Sequence, residues 1–126
     1  MNIPAELRYS SDHEWVRVDG ATATIGITEY AQDALGDVVF VEMPDTGLAV
    51  AAGESFSEVE STKSVSDIDA PITGSISEVN AELESQPELL NSDPYGAGWI
   101  CRIDISDPSD LDGLMDAEAY RALTEG

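Results

Sequence analysis

The strongest constraint on how this chain folds is its punctuation. From Glu14 to Ile105 the β-branched and apolar residues come in short runs, and the runs are separated by glycines, prolines and acidic turn residues. Runs this short cannot build long helices, and a chain made of them pairs its segments as strands. Asp19-Gly20 divides the runs 14–18 and 21–27, which predicts a hairpin whose two turn positions both take positive φ. Thr28 is placed to cap a helix over 29–35, with Gly36 in the left-handed position that ends it. Further strands are expected at 37–43, 47–51, 55–60, 65–70, 74–80 and 98–105. In the first of these, Val38 to Val41 reads as a buried run stopped by Pro44. In the last, Trp99, Cys101, Ile103 and Ile105 alternate with Ile100, Arg102 and Asp104, so one face points into a core.

Helices are confined to the periphery. Pro87 opens a single helical turn over 87–91, and 91–96 reads as a loop. Asp107-Pro108 starts a C-terminal helical region in which Leu111, Leu114 and Met115 share a face. Asp116 then caps a last short helix, with Tyr120 and Leu123 on one side. A length of 126 residues suits one compact domain, expected over 1–126. Within it Val41–Gly47 and Ile68–Gly74 repeat one pattern (apolar, acid, apolar, Pro, any, Thr, Gly), as two similar β units packed face to face would do.

Charge and composition exclude several classes of function. The chain has 26 acidic and 5 basic residues, a formal net charge of -21, so nucleic acid and anionic membranes are repelled. The acids are scattered rather than gathered in a tail, which favours a surface adapted to concentrated salt over the binding of cationic partners. No apolar run approaches the roughly 18 residues of a membrane span. The first residues, Met-Asn-Ile-Pro-Ala-Glu, lack the basic and apolar regions of a secretory signal, so a cytoplasmic location is expected. The single cysteine, Cys101, lies in an apolar run and reads as a small core residue.

The basic residues are more informative than the acids. Arg8, Arg17, Arg102 and Arg121 account for four of the five, and Lys63 is the only lysine. Arginine replaces lysine for solubility but does not form an amide at neutral pH. Lys63 stands among small polar residues, Ser61-Thr62-Lys63-Ser64, between two strand-like arms. That arrangement predicts a hairpin tip with the amine held out in water. A Schiff-base lysine needs the opposite, a buried amine with a lowered pKa. Here Glu58, Glu60 and Asp67 favour the ammonium instead, which argues against catalysis by the bare side chain.

Glu60-Ser61-Thr62-Lys63-Ser64 resembles a lipoyl attachment site, in which an acid stands three residues before the modified lysine. Biotin sites tend to place methionine on both sides, where this chain has Thr62 and Ser64. The likeness extends through Tyr9-Ser10-Ser11-Asp12-His13-Glu14-Trp15-Val16, Ile25-Gly26-Ile27-Thr28, Leu35–Val41, Ser66-Asp67-Ile68, Pro87–Asn91, Pro94-Tyr95 and Gly98-Trp99. Over roughly residues 8 to 121 the chain resembles the H proteins of the glycine cleavage system.

The resemblance implies a flattened β-barrel sandwich of the biotinyl/lipoyl hybrid type, with lipoate on Lys63 and Glu60 recognised by the attaching ligase or transferase. It implies a non-catalytic carrier served by three enzymes: a pyridoxal-phosphate (PLP) glycine decarboxylase (P protein), a tetrahydrofolate-dependent aminomethyltransferase (T protein) and dihydrolipoyl dehydrogenase (L protein). It also implies that Glu14 and Asp67 line a cleft that holds the cationic end of the loaded arm; His13 reads as a structural residue. An H-like carrier that relays lipoate to other complexes would share these features. The departures are Thr62 and Ser64, where valine and alanine are common in the family, and Asp12, where a small hydroxyl residue is frequent.

Overall fold

The computed structural model describes residues 2–125. Its strands are β1 (Arg8–Tyr9), β2 (Glu14–Asp19), β3 (Thr22–Ile27), β4 (Val38–Val41), β5 (Ala49–Val50), β6 (Ser55–Ser61), β7 (Val65–Asp69), β8 (Gly74–Val79) and β9 (Cys101–Ile105). The helices are α1 (Glu29–Leu35), α2 (Glu82–Ser85), α3 (Leu89–Ser92) and α4 (Ala117–Glu125), with a 3₁₀ helix at Pro108–Gly113. One sheet has the order β1-β2-β3-β9-β8-β5 and the other β4-β6-β7, and every pairing is antiparallel. No ladder joins the two sheets among the described residues, so the expected sandwich is present without closure into a barrel.

Apolar residues from both sheets meet in one core. Ile25, Cys101, Ile103 and Ile76 of the larger sheet face Val41, Val59 and Ile68 of the smaller one, all under 5 % exposed. The Cys101 thiol is pushed up to about 12 by burial, so it is an inert core group. A second cluster forms where α4 folds back on β1 and β2: Ile3, Leu7, Tyr9, Trp15 and Tyr120 are buried together. Asp116 caps α4 through the N–H of Ala119 at 2.8 Å.

Several local expectations shift by a residue or a face. Asp19 pairs with Thr22, so the hairpin turn is Gly20-Ala21, and among its residues only Gly20 has positive φ (63°). A lone positive φ at the first turn position is the type II′ pattern, which also suits the strand twist. Val39 and Phe40, expected inside, are 50 % and 54 % exposed. Strand β4 pairs with β6 alone, and a bulge between Val38 and Phe40 turns both residues outward. Strand β9 starts only at Cys101, and Ile100 just before it is as buried as its alternate neighbours. Leu123 is 46 % exposed although Tyr120 is buried, so α4 packs through Tyr120 and Ala117. Helix α2 and strand β1 were not expected, and both are too short to show a period.

The repeated heptad keeps a topological meaning. Each copy leaves the three-stranded sheet and delivers the chain to the six-stranded one, where the receiving strands β5 and β8 pair. The glycines differ: Gly47 has φ of 88°, whereas a Cβ on Gly74 would lie 2.1 Å from the Asp104 carbonyl oxygen.

Candidate functional site

Strands β6 and β7 form a hairpin that ends in Ser61-Thr62-Lys63-Ser64. The tip is tied by one side chain. The Ser61 N–H donates to the Ser64 carbonyl (2.8 Å), and the Ser61 hydroxyl oxygen accepts from the N–H groups of Lys63 (3.2 Å) and Ser64 (3.1 Å). A side-chain oxygen thus does the work of a turn carbonyl, which is why neither Thr62 nor Lys63 has positive φ and no glycine is needed. The small residues that flank Lys63 are part of a stiff presentation and not a flexible loop.

The hairpin also rests on the corner between α1 and β4. Thr62 N–H donates to the Asp37 carbonyl at 3.0 Å. The Lys63 stem crosses Gly36, where an added Cβ would lie 3.1 Å from Lys63 Cε, and Gly36 has a φ of 82°. Asn91 of α3 pins that corner from behind. Its Oδ1 accepts from Val38 N–H (2.8 Å), and its Nδ2 donates to the Gly36 carbonyl (2.8 Å) and to Gln32 Oε1 (3.0 Å). Lys63 itself is exposed.

Beside the hairpin lies a cleft of about 410 Å³, between β7, α1 and the loop before β2. Its walls include Asp12, His13, Tyr30, Ser64, Asp67 and Asp69. The carboxyl of Asp69 is held above its usual range, first by burial and then by Asp12 and Asp67. Asp12 and Asp67 act in this direction because a nearby like charge disfavours a second ionised carboxylate.

The expected site residues separate into three places. Asp67 lines the cleft. Glu60 stands on the outward face of the small sheet, in one row with the exposed Phe40 and Val65. Glu14 is only 2 % exposed and is not among the cleft-lining residues; it lies behind the rim, with the Ser10 hydroxyl on its Oε1 at 2.6 Å. Burial raises its carboxyl to about 7, against the pull of the Ser10 hydroxyl and the Asp69 main chain. Sequence reasoning missed Ser61, Asn91 and Asp69. Asn91 stands where the expected helical turn over 87–91 meets the expected loop over 91–96, and nothing local marks a side chain whose partners lie more than 50 residues away.

Glu14 makes stability depend on pH in a definite sense. Its folded pKa of about 7 exceeds the ordinary 4.5, so between these values the folded chain binds more protons than the unfolded one. Stability contributed by this group is therefore complete below about 4.5 and lost as pH rises through about 7. The shift corresponds to roughly 3 kcal/mol. Relative to Glu14→Gln, the native chain should lose that amount in chemical denaturation between pH about 4.5 and about 8. Parallel pH profiles for the two proteins would contradict it.

The described residues include no group of His, Cys, Asp and Glu arranged to hold a metal. The one histidine, His13, bonds through Nδ1 to the Tyr120 hydroxyl (2.8 Å) and not to the buried cysteine. The site presents an amine on a rigid tip beside an acidic cleft, and this is the geometry of a tethered carrier.

Comparison with known proteins agrees. Residues 7–126 match the family described as Glycine cleavage H-protein. The chain is 56% identical over 126 residues to the glycine cleavage system H protein of Beutenbergia cavernae, covering 100% of this chain and 99% of that one. It is 58% identical over 132 residues to the corresponding protein of Mycobacterium tuberculosis, covering 98% of each. The crystal structure of a glycine cleavage system H protein from Mycobacterium marinum superposes with a TM-score of 0.90 at 42% identity, over 98% of this chain and 100% of that one. The chain therefore belongs to the glycine cleavage H-protein family, as a lipoyl carrier component and not an enzyme.

Proposed function

We propose that Lys63 holds lipoate in amide linkage and that this one-domain chain, residues 1–126, carries the aminomethyl group of glycine between enzymes. The PLP-dependent decarboxylase loads the arm, the tetrahydrofolate-dependent aminomethyltransferase unloads it, and dihydrolipoyl dehydrogenase returns it to the oxidised state. The observation that carries this reading is the position of Lys63: the only lysine, exposed, on a tip stiffened by Ser61 and flanked by the cleft. The residues present fit the group, because the amine is accessible and its neighbours Thr62 and Ser64 are small. When bound, the lipoyl group supplies the sulfur chemistry, and the protein supplies presentation and shelter. Tethering keeps one reacting end at high local concentration at each enzyme it visits.

Glu60 serves the attaching enzyme as an acidic mark beside two exposed apolar side chains, Phe40 and Val65. In the cleft, Asp67 offers a carboxylate acceptor to the cationic end of the arm. Glu14 acts from behind, through Ser10 and the main chain of Asp69, rather than by lining the cleft. Reconstitution with glycine, the decarboxylase and tetrahydrofolate tests the reading. Carrier-dependent release of carbon dioxide and ammonia is the expected result. Lipoylated protein that supports neither, but passes its lipoate to other complexes, would overturn it.

The acidic surface we assign to life in concentrated salt and a cytoplasmic location. A single ion pair, Arg102–Glu78 at 2.6 Å, is present among the described residues, so most acids have no cation to offset their mutual repulsion. Molar salt shortens the Debye length to about 3 Å and removes that repulsion. The melting temperature should rise steeply from dilute buffer to molar salt, and an unchanged value would refute the assignment.

A further inference from the structure

His13 carries an unusual set of constraints for a residue the carrier reading leaves structural. It is the one non-glycine residue with positive φ (70°) among the described residues, a conformation that L side chains seldom take. Both its backbone groups are fixed: its N–H donates to the Ser10 carbonyl (3.2 Å), and its carbonyl accepts from Thr28 N–H (3.0 Å). Its ring packs against Tyr30 with centroids 4.5 Å apart and forms part of the cleft wall. Nδ1 is 2.8 Å from the Tyr120 hydroxyl, which is 2.7 Å from Thr28 Oγ1.

Counting protons along this chain of groups decides its direction. Thr28 and Tyr120 are both completely buried, so each hydroxyl hydrogen needs a partner inside the protein. Thr28 Oγ1 already accepts the N–H of Ala31 as the cap of α1, and among the described residues the only acceptor within reach of its own hydrogen is the Tyr120 oxygen. Tyr120 must then donate onward, to His13 Nδ1. A neutral ring that accepts at Nδ1 carries its hydrogen on Nε2. Among the described residues no buried side-chain polar atom lacks a partner, and Nε2 makes no hydrogen bond. Nε2 is therefore reached by solvent, and His13 is one of the residues that line the cleft.

The reverse order fails on the same count. If Nδ1 bore a hydrogen, in the other tautomer or in the cation, Tyr120 would have to donate to Thr28, and the Thr28 hydrogen would be left buried without an acceptor. The ring is thus held neutral by groups on two other elements, α4 and the α1 cap.

We propose that His13 serves the cleft as a fixed neutral imidazole, its Nε2–H a hydrogen-bond donor toward the lipoyl arm, with Tyr120 and Thr28 as the positioning residues that lock this tautomer. This rests on the carrier reading of Lys63. The cleft then has two complementary halves. Asp12, Asp67 and Asp69 accept from a cationic amine, while His13 donates to an acceptor atom beside it, a sulfur or an amide oxygen. A charged imidazolium would repel that amine, and the relay works against its formation.

The pH behaviour depends on everything that faces the ring: Asp12 and Glu14 beside it in the chain, Tyr30 from α1, Tyr120 from α4, and Asp67 and Asp69 across the cleft. The carboxylates favour the cation. Burial works against it, and it outweighs the attraction of Asp12, so the ring titrates below its ordinary value. The relay acts in the same direction as burial.

Long-range proton–nitrogen correlation spectra of the histidine ring test the proposal, and they need no lipoylation. In the unmodified chain, the Nε2–H tautomer that titrates below the ordinary 6.5 is expected. The Nδ1–H tautomer, or titration at or above that value, would overturn it. Thr28→Asp supplies a cap that only accepts, which allows Tyr120 to turn round; the tautomer should switch to Nδ1–H. A folded variant that keeps Nε2–H would count against the relay. If that variant does not fold, the native spectrum still decides. In lipoylated protein, the Nε2 resonance should move when the arm is loaded, and a stationary resonance would refute the contact with the arm. Absence of lipoate on Lys63 would fail the carrier reading while leaving the tautomer result legible.

Discussion

Lys63→Arg is expected to abolish lipoylation and reduce glycine-dependent turnover in the reconstituted system to the level without carrier, while the fold is unchanged. The positive charge and the long stem are kept, so the exposed side chain can still lie across Gly36. Substitutions at such exposed positions usually change stability by less than about 0.5 kcal/mol. What is lost is the primary amine, since a guanidinium does not accept an acyl group at neutral pH. No second lysine is present to rescue the site. Normal melting with no carrier activity separates this outcome from a structural defect. Retained activity would remove Lys63 from the account altogether.

Asn91→Ala should have the largest effect on stability among changes away from the main core. Its side chain makes three hydrogen bonds, to Val38 N–H, the Gly36 carbonyl and Gln32. Each is worth about 1 kcal/mol net, and partly buried main-chain groups would be left without partners, so the expected loss is about 3 kcal/mol. For a chain of this length that lowers the melting temperature by about 10 °C. The functional consequence follows from position. Gly36, Asp37 and Val38 form the corner that carries Thr62 and the Lys63 stem. Loosening it should slow lipoylation even well below the melting temperature. A variant that melts as the native protein does, with unchanged modification, would show that the corner is held by other contacts.

The parts of the fold that were legible in the sequence are those set by local chemistry. Thr28 caps α1 through Ala31, and Asp107 caps the 3₁₀ helix through Ser109, as their neighbours in the chain require. The alternation of Cys101 and Ile103 with Arg102 and Asp104 shows the inner face of β9. Legibility ended where a residue's environment comes from elsewhere. Val39 and Phe40 have the composition of a buried strand, but an edge position and a bulge expose them. Asp19-Gly20 signals a turn without fixing which residue closes it, because the register comes from the pairing of β2 with β3.

The same division holds at the site. Lys63 stood out through composition, as the sole lysine among small residues, and the structure places it on an exposed tip. Glu14 and Asp67 look alike in a chain this acidic, and the fold puts one behind the rim and the other in the cleft. The Ser61 tie is local and was available from its two-residue spacing to Lys63. The Asn91 clamp and the link from His13 to Tyr120 were not, since they span 53 to 107 residues of sequence.

The most direct test is peptide mass spectrometry of this protein purified from its own cells, with the modification located by fragmentation. An amide-linked lipoyl group on the peptide that contains Lys63 is the expected result. Uniformly unmodified Lys63, from cells in which other lipoyl proteins carry their cofactor, would contradict the carrier account.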